Sequence, residues 1–577
     1  MRIPKLEQPR NPFWILVGHF IRRLLAGEEE SEAGMSLGLG AVLAMLAAPG
    51  AFASIFLLDK YSTLMQWFRH HTFNSYRASI ADEYFFVVLS MTITGLVMVL
   101  RWNRLFPDRR DFANLAVLPI PIHHVFVANF IALFSLAVLF AIDVNAFSAV
   151  FFPFIVTISD GKGGSFSNLF IMLRSHASTV FLSSLFSFFA VFGAVGTLML
   201  IVPRRFFPSV SLCVRILLVI ALLTEFFANM LLQLFTGHLP GAANSYARLL
   251  PSFWFLGIYE NLAHVTNKTS ELFAQRAFSA TAAVILISLG AYALCYRRRF
   301  VGLAESLDMV GGAQQAHRIR VPNATLRLIF RNPFERLCAG FIASVLMRSE
   351  RHLMFLGGYI GVGLVLTAQT AMDSMNHRAT ASALNSELLA IPLMIAFFLI
   401  TGLRFAFDMP AGLNANWIFR SILEHPTPDP RRPVRKIMLL SVFSWQIAVL
   451  FPLTLLQFDW QIALMHTGAV MLLSATLIEF LLARFHKIPF TCSTRPDIRM
   501  LLMRILGAVL SVMILVPVLA SIEESMLLKP LRFIFGAILL AIAWYGICRY
   551  RRSATISPQY ITFEDVPPPQ FELLKLV

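Results

Sequence analysis

Residues 101–129 read RWNRLFPDRRDFANLAVLPIPIHHVFVAN, a compact charged segment set between two long apolar runs. Asp108 is placed to cap a helix N-terminus, and Asp111, three residues on, lies near the positive end of the helix dipole. Phe112, Leu115 and Ala116 recur at helical spacing, and Pro119 with Pro121 stops the run. The pattern predicts a helix of about three turns. Arg104, Arg109 and Arg110 fall on its polar face, and its apolar face would rest on a membrane or on the ends of neighbouring spans. The same residues also read as an ordinary basic loop held on one side of a membrane by its charge.

Working outward, the composition decides between soluble and membrane settings. Of 577 residues, 57% are hydrophobic and 14% charged, with 54 Phe, and the mean hydropathy is +0.70. No soluble domain of ordinary composition approaches this. The formal charge of +16, from 48 Lys+Arg against 32 Asp+Glu, would elsewhere suggest nucleic acid. Here the basic residues cluster between apolar runs, so they report topology and contact with anionic lipid head groups. No nucleic-acid-binding motif is present, and no nucleic-acid partner is expected. The five cysteines include no CxxC pair and imply neither disulfides nor a zinc site.

Apolar runs of crossing length begin with 35–58, 84–100, 125–142, 180–202, 212–235 and 277–296. After a polar interval come 353–368, 388–407, 437–458, 462–482, 501–522 and 531–547. The chain is therefore expected to be all-α and polytopic, with about twelve transmembrane helices and a plan that allows two six-helix halves. Residues 1–34 would carry an interfacial amphipathic helix, 35–300 the first half, 301–350 a cytoplasmic linker and surface helix, and 351–577 the second half. The apolar stretch 147–159, bounded by Asp143 and Asp160, reads as a re-entrant or surface piece. Lysines and arginines crowd the loops at 101–110, 204–205, 297–351, 431–436, 484–499 and 549–552. This places both termini in the cytoplasm and the chain in the cell's inner (plasma) membrane.

Two further segments stand out. Residues 250–260, LPSFWFLGIYE, are aromatic and too short to cross, and read as a dip into the outer leaflet. They serve either as a lid over a translocation path or as an aromatic belt, with Trp254 at the centre. In the second half FDMPAGLNANWIFR (407–420) occupies the place that FPDRRDFANLAVLP occupies in the first. Asp408 can cap, Pro410 falls in the first turn, and Trp417 with Ile418 and Phe419 supplies an apolar patch that ends at Arg420.

Chemistry-bearing motifs are few. No GxxxxGK[ST] phosphate loop occurs, so the chain does not hydrolyse ATP by that route, and no cofactor or metal is expected. The pairs His70-His71 and His123-His124 diverge on a helix. Glu225 and Glu479 are the intramembrane acids. Such groups face protein or water, so Glu225 either lines a path or makes a structural hydrogen bond.

In the order of its parts, the stretch 11–300 resembles the membrane subunit of a type V ATP-binding-cassette (ABC) exporter, the ABCG-like permease class. The parts are an amphipathic helix at 13–23, six spans, a charged helix between spans two and three ending LAVLPIPIHHVFVANF, and PSFWFLGIYE between spans five and six. The resemblance implies that 106–119 docks in a groove of a separate ATPase. Phe106 and Phe112 would anchor there, and Arg109 and Arg110 would meet acidic residues. Residues 353–577 carry no motif of that family. A permease of this kind contributes the path and is not itself an enzyme; a homodimeric assembly is compatible with it. Two other classes compete. A polytopic enzyme such as a lipid-linked glycosyltransferase would use Asp82 and Glu83 beside Arg77 and His70. An ion-coupled carrier would want several buried acids near midplane.

Overall fold

The computed structural model describes residues 12–25, 39–67, 75–106, 121–159, 165–203, 206–236, 250–264, 268–295, 329–377, 385–411, 416, 431–483, 485, 487–491, 498–527 and 529–554. Among these the regular structure is helical, without strands. Among the described residues ten helices are long and apolar enough to cross a membrane. The protein is an all-α polytopic membrane protein. Its contacts divide it into two compact units, Met1–Ala313 and Gln314–Val577.

The first unit contains α1 (Pro12–Leu25), α2 (Leu39–Trp67), α3 (Ser75–Leu100), α4 (Ile122–Ile158), α5 (Phe166–Ile201), α6 (Phe207–Thr236), α7 (Pro251–Leu262) and α8 (Lys268–Cys295). Of these, α1 buries Leu16, Val17, Phe20 and Leu24 and exposes Trp14 and Ile15, and it packs on α4. This helix therefore has a protein-facing stripe at helical spacing as well as an outward apolar edge.

The stretch 147–159 is not a re-entrant piece. It is the last third of α4, a helix of 37 residues that runs through both Asp143 and Pro153. Proline in a helix removes one backbone donor, but α4 continues through Pro153 as far as Ile158. The run is one continuous helix. At 1.5 Å per residue α4 is about 55 Å long, well beyond the roughly 30 Å hydrocarbon core of a bilayer. It must tilt or extend beyond the bilayer.

Helix α7 is integrated into the core of its unit. Pro251 occupies its first turn, and Ser252, Phe253 and 255–259 are buried. A Cβ at Gly257 would come within 2.6 Å of the Phe273 Cβ and 2.7 Å of the Ser270 carbonyl, so glycine is what lets α7 and α8 lie this close.

The second unit contains α9 (Pro333–Arg348), α10 (Glu350–His377), α11 (Ser386–Ala406), α12 (Arg431–Gln457), α13 (Trp460–Leu482), α14 (Ile498–Leu527) and α15 (Pro530–Ala554). Residues 301–328 lie outside the described residues, and the surface helix expected within 301–350 is α9, Pro333–Arg348. Asn332 caps it, its side chain accepting from the Phe334 amide at 3.1 Å. A π turn at Gln446–Leu450 interrupts α12. Counting the six long helices of each unit in order, the second packs on the fourth and fifth, the third on the fourth, and the fourth on the sixth in both units. Among the described residues only the first unit inserts a short buried helix between its fifth and sixth.

Candidate functional site

The connection between α3 and α4 begins with a tight turn at Trp102–Arg104 and then buries Leu105 and Phe106. The Phe106 ring stacks on Phe192 of α5 (centroids 5.6 Å apart, planes 18° apart) and lies 5.2 Å from Tyr292 of α8. Arg23 of α1 donates to the Phe106 carbonyl at 3.1 Å, and Asn129 of α4 donates to the Leu105 carbonyl at 3.1 Å. Trp102 donates its indole N–H to the Ser211 hydroxyl of α6 at 2.8 Å. Phe106 is therefore not available to a partner: it is 4% exposed and bolts the connection to the bundle. Asp108, Arg109, Arg110, Asp111 and Phe112 lie outside the described residues, as do Trp417 and Arg420 in the second unit.

From this anchor a polar seam runs between α3 and its neighbours. Ser90 meets Ser184 of α5 at 2.6 Å and accepts from the Asn145 amide of α4 at 2.7 Å. Ser187 donates to the Met91 carbonyl at 2.8 Å. Farther along α3, Glu83 Oε2 lies 2.6 Å from Nδ1 of His176, and neither side chain is exposed. The His176 ring is flanked by Phe86 and Phe152, with centroids 5.4 and 5.0 Å away. Glu83 Oε1 and His176 Nε2 have no hydrogen-bond partner among the described residues. Beside them Asp82 pairs with Lys60 at 2.7 Å and accepts from the Tyr61 hydroxyl at 3.1 Å. Ser79 meets the Tyr259 hydroxyl at 3.0 Å.

The structure brings Glu225 and α7 together. Glu225 of α6 accepts from the Ser252 amide at 3.3 Å, and the Ser252 hydroxyl meets Tyr84 at 2.8 Å. Trp254 is half-buried against a cluster that includes Val87, Met91 and Phe255. Tyr84, Ser252 and Glu225 thus form one polar chain linking α3, α7 and α6. The α5 serines, which carry much of this seam, escaped the sequence reading. Their partners lie about ninety positions away, and a serine-rich stretch inside an apolar run carries no marker of what it meets.

On the same short helix, burial pushes the Glu260 carboxyl up to about 7, with the Ser270 hydroxyl pulling the other way. The unfolded carboxyl keeps its ordinary value near 4.5, so between those values the folded state binds more protons and stability falls as pH rises. Thermal unfolding in detergent is expected to show the wild type losing stability from about pH 4.5 to 7 relative to Glu260→Gln. Parallel pH profiles for the two proteins would contradict the assignment.

In the second unit Asp408 does not cap a helix. Residues 407–411 form a non-helical turn after α11, and the carboxylate is held by Arg404 at 2.7 Å and Lys487 at 2.8 Å, with Arg504 at 3.8 Å. The turn is pinned to the segment after α13: Ala411 N donates to the Phe490 carbonyl at 3.0 Å, and Phe490 N to the Phe407 carbonyl at 3.3 Å. Phe490 adopts φ 67°, a conformation that costs a bulky residue roughly 1–3 kcal/mol and is offset by packing on Phe407 and His352. Glu479, the other intramembrane acid, pairs with Arg435 at 3.1 Å, and Lys436 pairs with Glu335 of α9. These contacts tie α9, α11, α12 and α13 into one charged knot.

Above that knot α11, α13, α14 and α15 surround a cavity of about 270 Å³, its walls including Leu393, Phe397, Ile400, Leu477, Phe480 and Leu515. No cluster of three or more potential metal ligands occurs among the described residues. Comparison of the chain with protein-family models, with curated proteins and with solved structures finds no match.

Proposed function

We propose that this chain is the permease subunit of an ABC-type transporter, in which a separate ATPase supplies hydrolysis and this chain supplies the path for export. The observation that carries the reading is the anchoring of the basic connection between α3 and α4. Its first residues are fixed to α1, α4, α5, α6 and α8 through Trp102, Leu105 and Phe106. A partner bound to 107–120 would therefore pull on most of the unit at once. The recurrence of the same helix pairings in the second unit supports a duplicated plan with a second lever at 407–420. The basic loops put both levers and both termini in the cytoplasm of the plasma membrane.

The competing enzyme reading is weakened, because Asp82 and Glu83 are buried and already engaged by Lys60, Tyr61 and His176. Arginines 109 and 110 would make charge-assisted contacts with the ATPase, while Phe106 acts inside the bundle and not at the interface. Arg109→Glu with Arg110→Glu is expected to remove vanadate-sensitive ATP hydrolysis from the purified complex, with membrane insertion and melting temperature unchanged. Full hydrolysis in the double variant would refute the docking role.

A further inference from the structure

The cavity of the second unit is walled almost wholly by hydrocarbon, and its two hydroxyls are already engaged. Ser474 accepts from the Gln446 amide at 2.9 Å, and Thr476 donates to the Leu472 carbonyl at 2.8 Å. A water inside would find too few partners, and apolar cavities of this kind stay dry and take up apolar molecules. Phe480 and Leu515 on the rim are 65% and 51% exposed, and the α14 residues beside the rim, Ile514 and Val518, are exposed and apolar as well. Because α13 and α14 have the length and hydropathy of membrane spans, the phase beyond that rim is bilayer hydrocarbon. A polar head group would have no partner inside, but a chain reaching in sideways keeps its head at the interface.

We propose that this cavity is a binding site for an acyl chain of a bilayer phospholipid, inserted between α13 and α14 past Phe480 and Leu515. The site does not depend on the transport reading. It requires only that α13 and α14 cross the bilayer. Ala396, 3% exposed and part of the cavity wall, marks its depth.

The test reconstitutes the full chain in phosphatidylcholine vesicles carrying a photoactivatable diazirine near the end of one acyl chain, and maps the labelled residues by mass spectrometry. Labelling is expected at Phe397 or Leu477 inside the cavity and at the outward residues Leu539 and Ile542 of α15. Ala396→Leu and, independently, Leu477→Trp fill the cavity; each should abolish the inner labelling and leave the outer labelling unchanged. Two variants guard against one failing to fold, which unchanged outer labelling and melting temperature would reveal. Absence of inner labelling in the wild type, or its persistence in both folded variants, would overturn the proposal. Inner labelling by a free adamantane diazirine but not by the phospholipid would also overturn it, pointing to a loose apolar cargo.

Discussion

Replacing His176 with leucine is expected to lower the stability of the first unit by roughly 1–3 kcal/mol, because it leaves the Glu83 carboxyl group buried without its hydrogen-bond partner. The two side chains meet at 2.6 Å with no exposure to solvent. The ring is held by Phe86 and Phe152, which offer a carboxylate nothing to bond. The informative comparison is the double variant, His176→Leu with Glu83→Leu. A buried hydrogen-bonded pair can be exchanged for apolar residues at little cost, whereas removing one member leaves the other unsatisfied. The double variant should therefore melt closer to the wild type than either single variant. Additive losses, with the double variant the least stable of the three, would show that the pair is not the unit that matters.

Asp408→Asn is expected to cost more, roughly 3–5 kcal/mol at neutral pH, since Arg404 and Lys487 would lose the charge that holds them. Burial alone would push the Asp408 carboxyl up, but Arg404 and Lys487 overcome it and hold the group below its ordinary value of 3.8. The sign of the pH dependence follows. The contribution is fully present above the unfolded value near 3.8 and is lost as pH falls through the still lower folded value. Wild type and Asp408→Asn should thus differ most at neutral pH and converge in strong acid. A gap that stayed constant down to pH 2 would contradict the charge argument.

Hydropathy made most of the fold legible, because a crossing helix must be apolar over about twenty residues and nothing else in the sequence looks like that. The error at 147–159 came from the same rule. Asp143 and Asp160 read as boundaries, yet the helix runs straight through Asp143 and on to Ile158. The site was less legible for a different reason. Phe106 precedes a proline and an acidic cap signal, so it read as the tip of a docking helix. Its burial depends on Phe192 and Tyr292, which lie 86 and 186 positions away. Asp408 misled in a related way: a capping signal is local, whereas Lys487, which shares this carboxylate with Arg404, lies 79 positions away. Glu225 and 250–260 were singled out by burial cost and aromatic content, both local properties, and these the structure does bring together.

The central claim is that nucleotide hydrolysis by a companion moves the helices of the first unit through the connection that Phe106 anchors. Spin labels at Leu100, the exposed last residue of α3, and at Ile201, the exposed last residue of α5, would report that movement as a distance distribution in the complex purified from vesicles. Trapping the ATPase with ATP and vanadate should shift the distribution in the wild type. It should leave the distribution unshifted in Phe106→Ala and in the double variant Arg109→Glu with Arg110→Glu. An unchanged wild-type distance on trapping, or the same shift in the lone chain without its companion, would contradict the account.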